Sequence, residues 1–254
     1  MLALAFAVDS LLVCAIASLG QCAEAGSLPT ISEMMLRCKR GDAAFVPWLC
    51  LAAHAVVSLV QLPRMQRAAA RWCAQQARGA QPPAGRAVPA LAAVSVAGFA
   101  LVVACDHRGA GDLATAGHRV GVALLAAGGF GALQAVWWTL RAGDAAARVQ
   151  HAGSGDAPWY SWVEADVVFA VLLGVFAVAT LADSDSGVGA ACEYAAFALL
   201  LAQTTWLLVL CEERKRAMFF ETDYAAGARE AGWALGALLA AYALEAAVVL
   251  AVVL

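Results

Sequence analysis

The sequence predicts an all-α fold, a polytopic transmembrane helical bundle, and three observations lead there. Seven stretches stay apolar over about 19 to 24 residues, enough at the helical rise to cross a hydrocarbon core of about 30 Å. Apolar residues make up 63% of the 254 residues and charged residues only 14%, with a mean hydropathy of +0.75, beyond what a soluble domain carries. Arg and Lys gather in alternate loops, as they do where basic residues are retained on the cytoplasmic side. No run alternates in polarity over about ten residues, so transmembrane strands are not expected. A net charge of −3 says little about partners, and nothing points to nucleic acid.

The first span is Leu2–Gly20. No Lys or Arg precedes its apolar run, which is longer than the roughly 7 to 15 residues of a signal-peptide core, so a retained helix is expected rather than cleavage near Ala17 or Gly20. Asp9 sits inside it, where an ionisable side chain is costly unless it turns to the bundle interior. The first outer loop holds Cys22 and Cys38, which on an exoplasmic face can close a disulfide, although spacing alone does not show that the sulfurs meet. The same loop carries Arg37, Lys39 and Arg40 against the charge rule. The second span, Ala44–Leu62, is followed by a basic stretch from Arg64 to Arg78. It reads as a short amphipathic cytoplasmic helix, with topology-setting charge as its plain role and anionic headgroups as its alternative surface.

The third span is Ala87–Cys105, after which Asp106, His107 and Arg108 open an outer loop. His118 opens the fourth span, Arg119–Leu140, whose Gly128-Gly129-Phe130-Gly131 suits close helix packing rather than phosphate binding. Pro158-Trp159-Tyr160-Ser161-Trp162 marks a headgroup level before the fifth span, Val163–Ala182, with Glu164 and Asp166 at its inner end. Asp183 and Asp185, without a basic residue, put the next loop outside. Glu193 opens the sixth span, Ala190–Cys211, and Arg214, Lys215, Arg216 and Arg229 follow it on the inner side. Ala231–Leu254 is the seventh, with Glu245 deep inside. Eleven basic residues inside against five outside predict a cytoplasmic N-terminus.

Chemistry is expected from polar residues at the outer face: Pro29, Ser32, Glu33, Asp106, His107, His118 and Glu193. They can bind a lipid headgroup or respond to protons, or His118 and Glu193 can simply cap and connect helix ends. Pro29, Ser32, Glu33, His118 and Glu193 are expected to form one cluster holding the first outer loop against the bundle. The intramembrane acids Asp9, Glu164, Asp166 and Glu245 form a second group, and Glu245 needs a partner such as Asp9, an Arg or water. CxxC, HExxH and Cys/His metal spacings are absent, and no cofactor is predicted. The seventh span has no Lys for a retinal Schiff base.

At these residues the chain resembles the Frag1/DRAM/Sfk1 family of six-span membrane proteins. Leu28-Pro29-Thr30-Ile31-Ser32-Glu33 is similar to the family's Pro-x-Ile-Ser-Asp/Glu motif in the first exoplasmic loop. His118-Arg119-Val120-Gly121-Val122 followed by Gly128-Gly129 is similar to its His-x-x-Gly-Ala opening of the fourth span. Cys192-Glu193-Tyr194 resembles its Glu-Trp opening of the sixth, with Tyr in place of Trp. The likeness covers residues 1–216, and residues 217–254 depart from it with a short cytoplasmic segment and the seventh span. It implies a non-enzymatic regulator or scaffold in lipid signalling, lipid distribution or autophagy, at the plasma membrane or at endolysosomal or Golgi membranes. Its partners would be membrane lipids. Ala- and Gly-rich helix faces would also suit other membrane proteins, as in an accessory subunit. Two further classes stay open: a transporter or channel using the intramembrane acids, and a lipid-modifying enzyme built on Asp106, His107 and His118.

Overall fold

In the computed structural model, residues 2–23, 29–76, 87–105, 112–150, 171, 174, 187–220 and 224–253 are described, and all regular structure among them is helical. Asp106, His107, the 158–162 aromatic cluster, Glu164 and Asp166 lie outside the described residues. Of the fifth expected span only Val171 and Gly174 fall within them, both helical.

Helix α1 (Leu2–Ser18) is apolar apart from Asp9, Ser10 and Ser18 and runs into a 3-10 turn, Leu19–Cys22. The loop that follows then forms a helix that hydropathy alone does not announce, α2 (Ile31–Arg40). Thr30 caps it by accepting the Glu33 N–H at 3.1 Å, and Arg37, Lys39 and Arg40 in its last turn complement the helix dipole. Met34, Met35 and Cys38 form its buried face.

Next comes one long rod: α3 (Val46–Val56), a π turn (Val57–Gln61) and α4 (Leu62–Gln76). The basic stretch is therefore a continuation of the second span, not a separate surface helix. Met65, Ala69, Trp72 and Cys73 recur at helical spacing and are buried within the core that α4 shares with the helices described next, so this face is committed to protein.

Helices α5 (Ala87–Ala104) and α6 (Asp112–Gln150) pack with their backbones in contact. A Cβ on Gly121 would lie 2.8 Å from the Gly98 carbonyl oxygen, and one on Gly128 would lie 2.6 Å from that of Leu91. Glycine alone fits there, in keeping with the packing role expected of Gly128. The remaining helices are α7 (Gly187–Phe220) and α8 (Tyr224–Val253).

Four helical segments among the described residues are long and apolar enough to cross a membrane: Val46–Gln76, Ala87–Ala104, Leu113–Ala147 and Glu193–Arg216. Shorter apolar stretches, Phe6–Cys22 and Gly236–Val249, lie at α1 and α8. Buried side chains form two cores. One joins α4, α6 and α7 through Met65, Trp72, Leu133, Trp137 and Leu207. The other lies under α2, with Leu19, Met35, Cys50, Phe99 and Val103.

The first core ends in a buried ion pair. Arg214 Nε and Nη2 donate to the two Asp144 oxygens at 2.9 and 3.0 Å, and Trp72 Nε1 donates to Asp144 at 2.6 Å. Arg214 is only 1% exposed, so it does structural work beyond the topology-setting charge expected of it. Gly143 makes room, because a Cβ there would sit 2.5 Å from Trp72 Cδ1.

Candidate functional site: the α2 cap and the cavity beneath it

A disulfide and hydrogen bonds from three side chains hold α2 across its end of the bundle. A Cys22–Cys38 disulfide, with a Cα separation of 5.3 Å, ties its last turns to the end of α1. At the opposite end, Glu193 Oε2 accepts the Ile31 N–H at 2.7 Å, and the Ser32 N–H also bonds this carboxylate. A carboxylate from α7 thus takes up the amides that the first turn of any helix leaves unpaired, and its charge suits the dipole. Tyr194 Oη donates to the Pro29 carbonyl at 3.0 Å. Lys39 Nζ donates to the Val103 and Ala104 carbonyls at 3.0 Å each, capping the C-terminus of α5. This gives structural use to a cation on the side where the charge rule expects few.

Pro29, Ser32 and Glu193 therefore meet through α7. Glu33 turns instead along its own helix, paired with Arg37 at 2.8 Å. His118 is buried, with Nδ1 3.3 Å from the Cys105 carbonyl, and it shares a small cleft with Ser32 and Lys39. No hydrogen bond joins His118 to Glu193; the two flank α2 from different helices.

Beneath α2 lies an apolar cavity of about 170 Å³ walled by α1, α2, α3, α5, α6 and α7. Ile16, Phe99, Leu125 and Phe197 are typical of its lining, and Ser32 and Glu193 stand where α2 meets it. His54 and Ser95 also line it, with His54 Nε2 3.0 Å from Ser95 Oγ and 3.2 Å from Ser58 Oγ. The His54 ring meets Phe99 edge-on, with centroids 5.1 Å apart. On the same scale an apolar cavity of about 150 Å³ accepts a benzene-sized guest, so this one has room for a short run of hydrocarbon. Among the described residues no three His, Cys, Asp or Glu side chains converge as metal ligands would.

Sequence reasoning missed Thr30, Lys39, His54, Ser95 and the Tyr194 hydroxyl contact. Only the first had a local signal, a Thr three residues before a Glu. Asp9 and Glu245, at the α1–α8 contact, stand apart from this site: Asp9 accepts from Gln61 and Tyr242, and Glu245 accepts from Ser10.

Fold and site thus define an all-helical protein with helices suited to a membrane and a capped apolar cavity. No protein-family model, curated protein or solved structure matches this chain.

Proposed function

We propose that this chain is a non-enzymatic integral membrane protein of the Frag1/DRAM/Sfk1 type that regulates or scaffolds membrane lipid processes by holding a lipid's hydrocarbon chain under α2. The observation that carries the reading is the apolar cavity of about 170 Å³ beneath a helix that a disulfide and a carboxylate hold in place. In this reading there are six family-like spans and a seventh at α8, with the N-terminus cytoplasmic. The disulfide supports that orientation, because such bonds persist on the exoplasmic side, where it would put the end of α1. The host membrane would be the plasma membrane or an endolysosomal or Golgi membrane.

The test is photocrosslinking in liposomes that contain phosphatidylcholine with a diazirine in its acyl chain, followed by peptide mapping. Labels are expected on cavity-lining residues such as Ile16, Phe99 and Phe197, and Ala196→Phe, which adds a ring to the cavity wall, should reduce them several-fold without lowering the melting temperature. Unchanged labelling in a well-folded Ala196→Phe protein would remove the reading. A transporter-like bundle is the second reading, favoured by the burial of Asp9 at 1% exposure.

A further inference from the structure

Away from the cavity, α1, α8 and the π turn meet around Asp9, which lies midway along α1 and is 1% exposed. Asp9 Oδ2 accepts from Gln61 Nε2 at 3.3 Å and from Tyr242 Oη at 3.1 Å. Its other oxygen, Oδ1, is buried and has no partner among the described residues, and the same holds for Gln61 Oε1. Gln61 is 6% exposed and closes the π turn, a local departure from helical geometry of the sort that recurs at functional sites. Next to this pair, Ser10 Oγ donates to Glu245 Oε1 at 3.0 Å, and Glu245 Oε2 is also without a partner.

The two bare oxygens on Asp9 and Gln61 belong to groups already joined by one hydrogen bond. An ionised Asp9 accepts only, so two buried acceptors, Asp9 Oδ1 and Gln61 Oε1, are left with no donor among the described residues. A neutral carboxylic acid carries one O–H. Placed on Oδ1, that hydrogen would be available to Gln61 Oε1, the second bond of the ring that an acid and an amide form. The titratable groups nearby are Tyr242 and Glu245 on α8 and Cys14 on α1, which faces Glu245. Tyr242 already donates to Asp9 and contacts Thr205 of α7, while α3 gives Asp9 no hydrogen bond. Among the described residues no Lys, Arg or His pairs with either acid.

We infer that Asp9 is an exchangeable proton-binding site inside the helical bundle, with Gln61 of the π turn as the group that reads the proton. The O–H bond that forms on Oδ1 takes its proton from hydronium, which leaves as water, and no other bond changes. With the proton in place α1 gains a second bond to the π turn; without it, that bond is lost, while Tyr242 of α8 donates to Asp9 in either state.

The test is infrared spectroscopy of the protein in phosphatidylcholine nanodiscs, titrated with acid and base. The wild-type protein should show the carbonyl stretch of a protonated carboxylic acid, and the band should fade in one step as the pH is raised. Asp9→Asn, which keeps a donor and an acceptor in the ring and so preserves the contact, should abolish that band. Gln61→Leu should move it to higher frequency, as should Tyr242→Phe, and these two variants carry the test if Asp9→Asn does not fold. The inference is overturned if Asp9→Asn keeps the band, if Glu245→Gln alone removes it, or if it persists at every pH. Loss of the band on adding sodium at constant pH would assign the site to a cation and overturn it equally.

Discussion

The two ends of the bundle bury polar groups in opposite ways. At the Arg214 end the side chains pack closely: Asp144 is met by a guanidinium and an indole, Gly143 gives way to Trp72, and Met65, Leu133 and Trp137 are at most 2% exposed. At the disulfide end a short helix is braced by a covalent bond, a carboxylate and a lysine, and a cavity of about 170 Å³ remains beneath it. An apolar void costs stability in proportion to its volume, and ordinary packing would close it. Here the braces hold α2 where it cannot sink into the gap. The difference teaches that stability and ligand space are separated along the helices, one at each end.

The strongest way to break this comparison is Arg214→Ala. It leaves the Asp144 carboxylate buried without its cation and should lower stability by about 3–5 kcal/mol, read from detergent unfolding. Acyl-chain labelling of the folded fraction should stay the same; a parallel loss would mean that the ends are not separate. Replacing Cys22 and Cys38 with Ser comes next, at about 3 kcal/mol for a loop closed over 16 residues, checked by melting with and without reductant. Hydrogen exchange should then rise at Met34 and Met35 and stay unchanged at Leu133 and Leu207. Glu193→Ala removes the acceptor for the first turn of α2 and should cost about 1–3 kcal/mol, with faster exchange of the Ile31 amide as its specific mark. Smallest is Tyr194→Phe, at about 1 kcal/mol for the bond to Pro29, seen as a slight loss of protection in α2 alone.

How far each end could be read in advance follows from the range of its interactions. Apolar length marks helices α1 and α5 and the interiors of α3, α6 and α7, because the signal lies within each segment. Glycine packing at Gly128 was legible for the same reason. Helix α2 was not, since four of its 10 residues are charged and its burial depends on a disulfide partner and on Glu193, 162 residues from Ile31. The apolar stripe on α4 could be traced from Met65 to Trp72, yet nothing local told whether it would meet lipid headgroups or α6. Asp144 and Arg214 stand 70 residues apart, and Arg214 alone reads as a loop charge; only the fold makes them a pair. The Asp9–Gln61 contact depends on a π turn, for which hydropathy carries no signal.

That single wide turn also sets the rotational phase of the long rod. Each residue in an α-helix advances the side chains by about 100°, so one extra residue in the Val57–Gln61 turn shifts everything after it by that angle. His54, before the turn, reaches Ser95 on α5, whereas Gln66, after it, reaches Thr139 on α6 and Trp72 reaches Asp144. Deleting one residue between Val57 and Gln61 would leave both halves helical and still misalign them. The cavity wall and the ion pair could then no longer be satisfied together, so the two distant ends share one constraint on chain length, set between them.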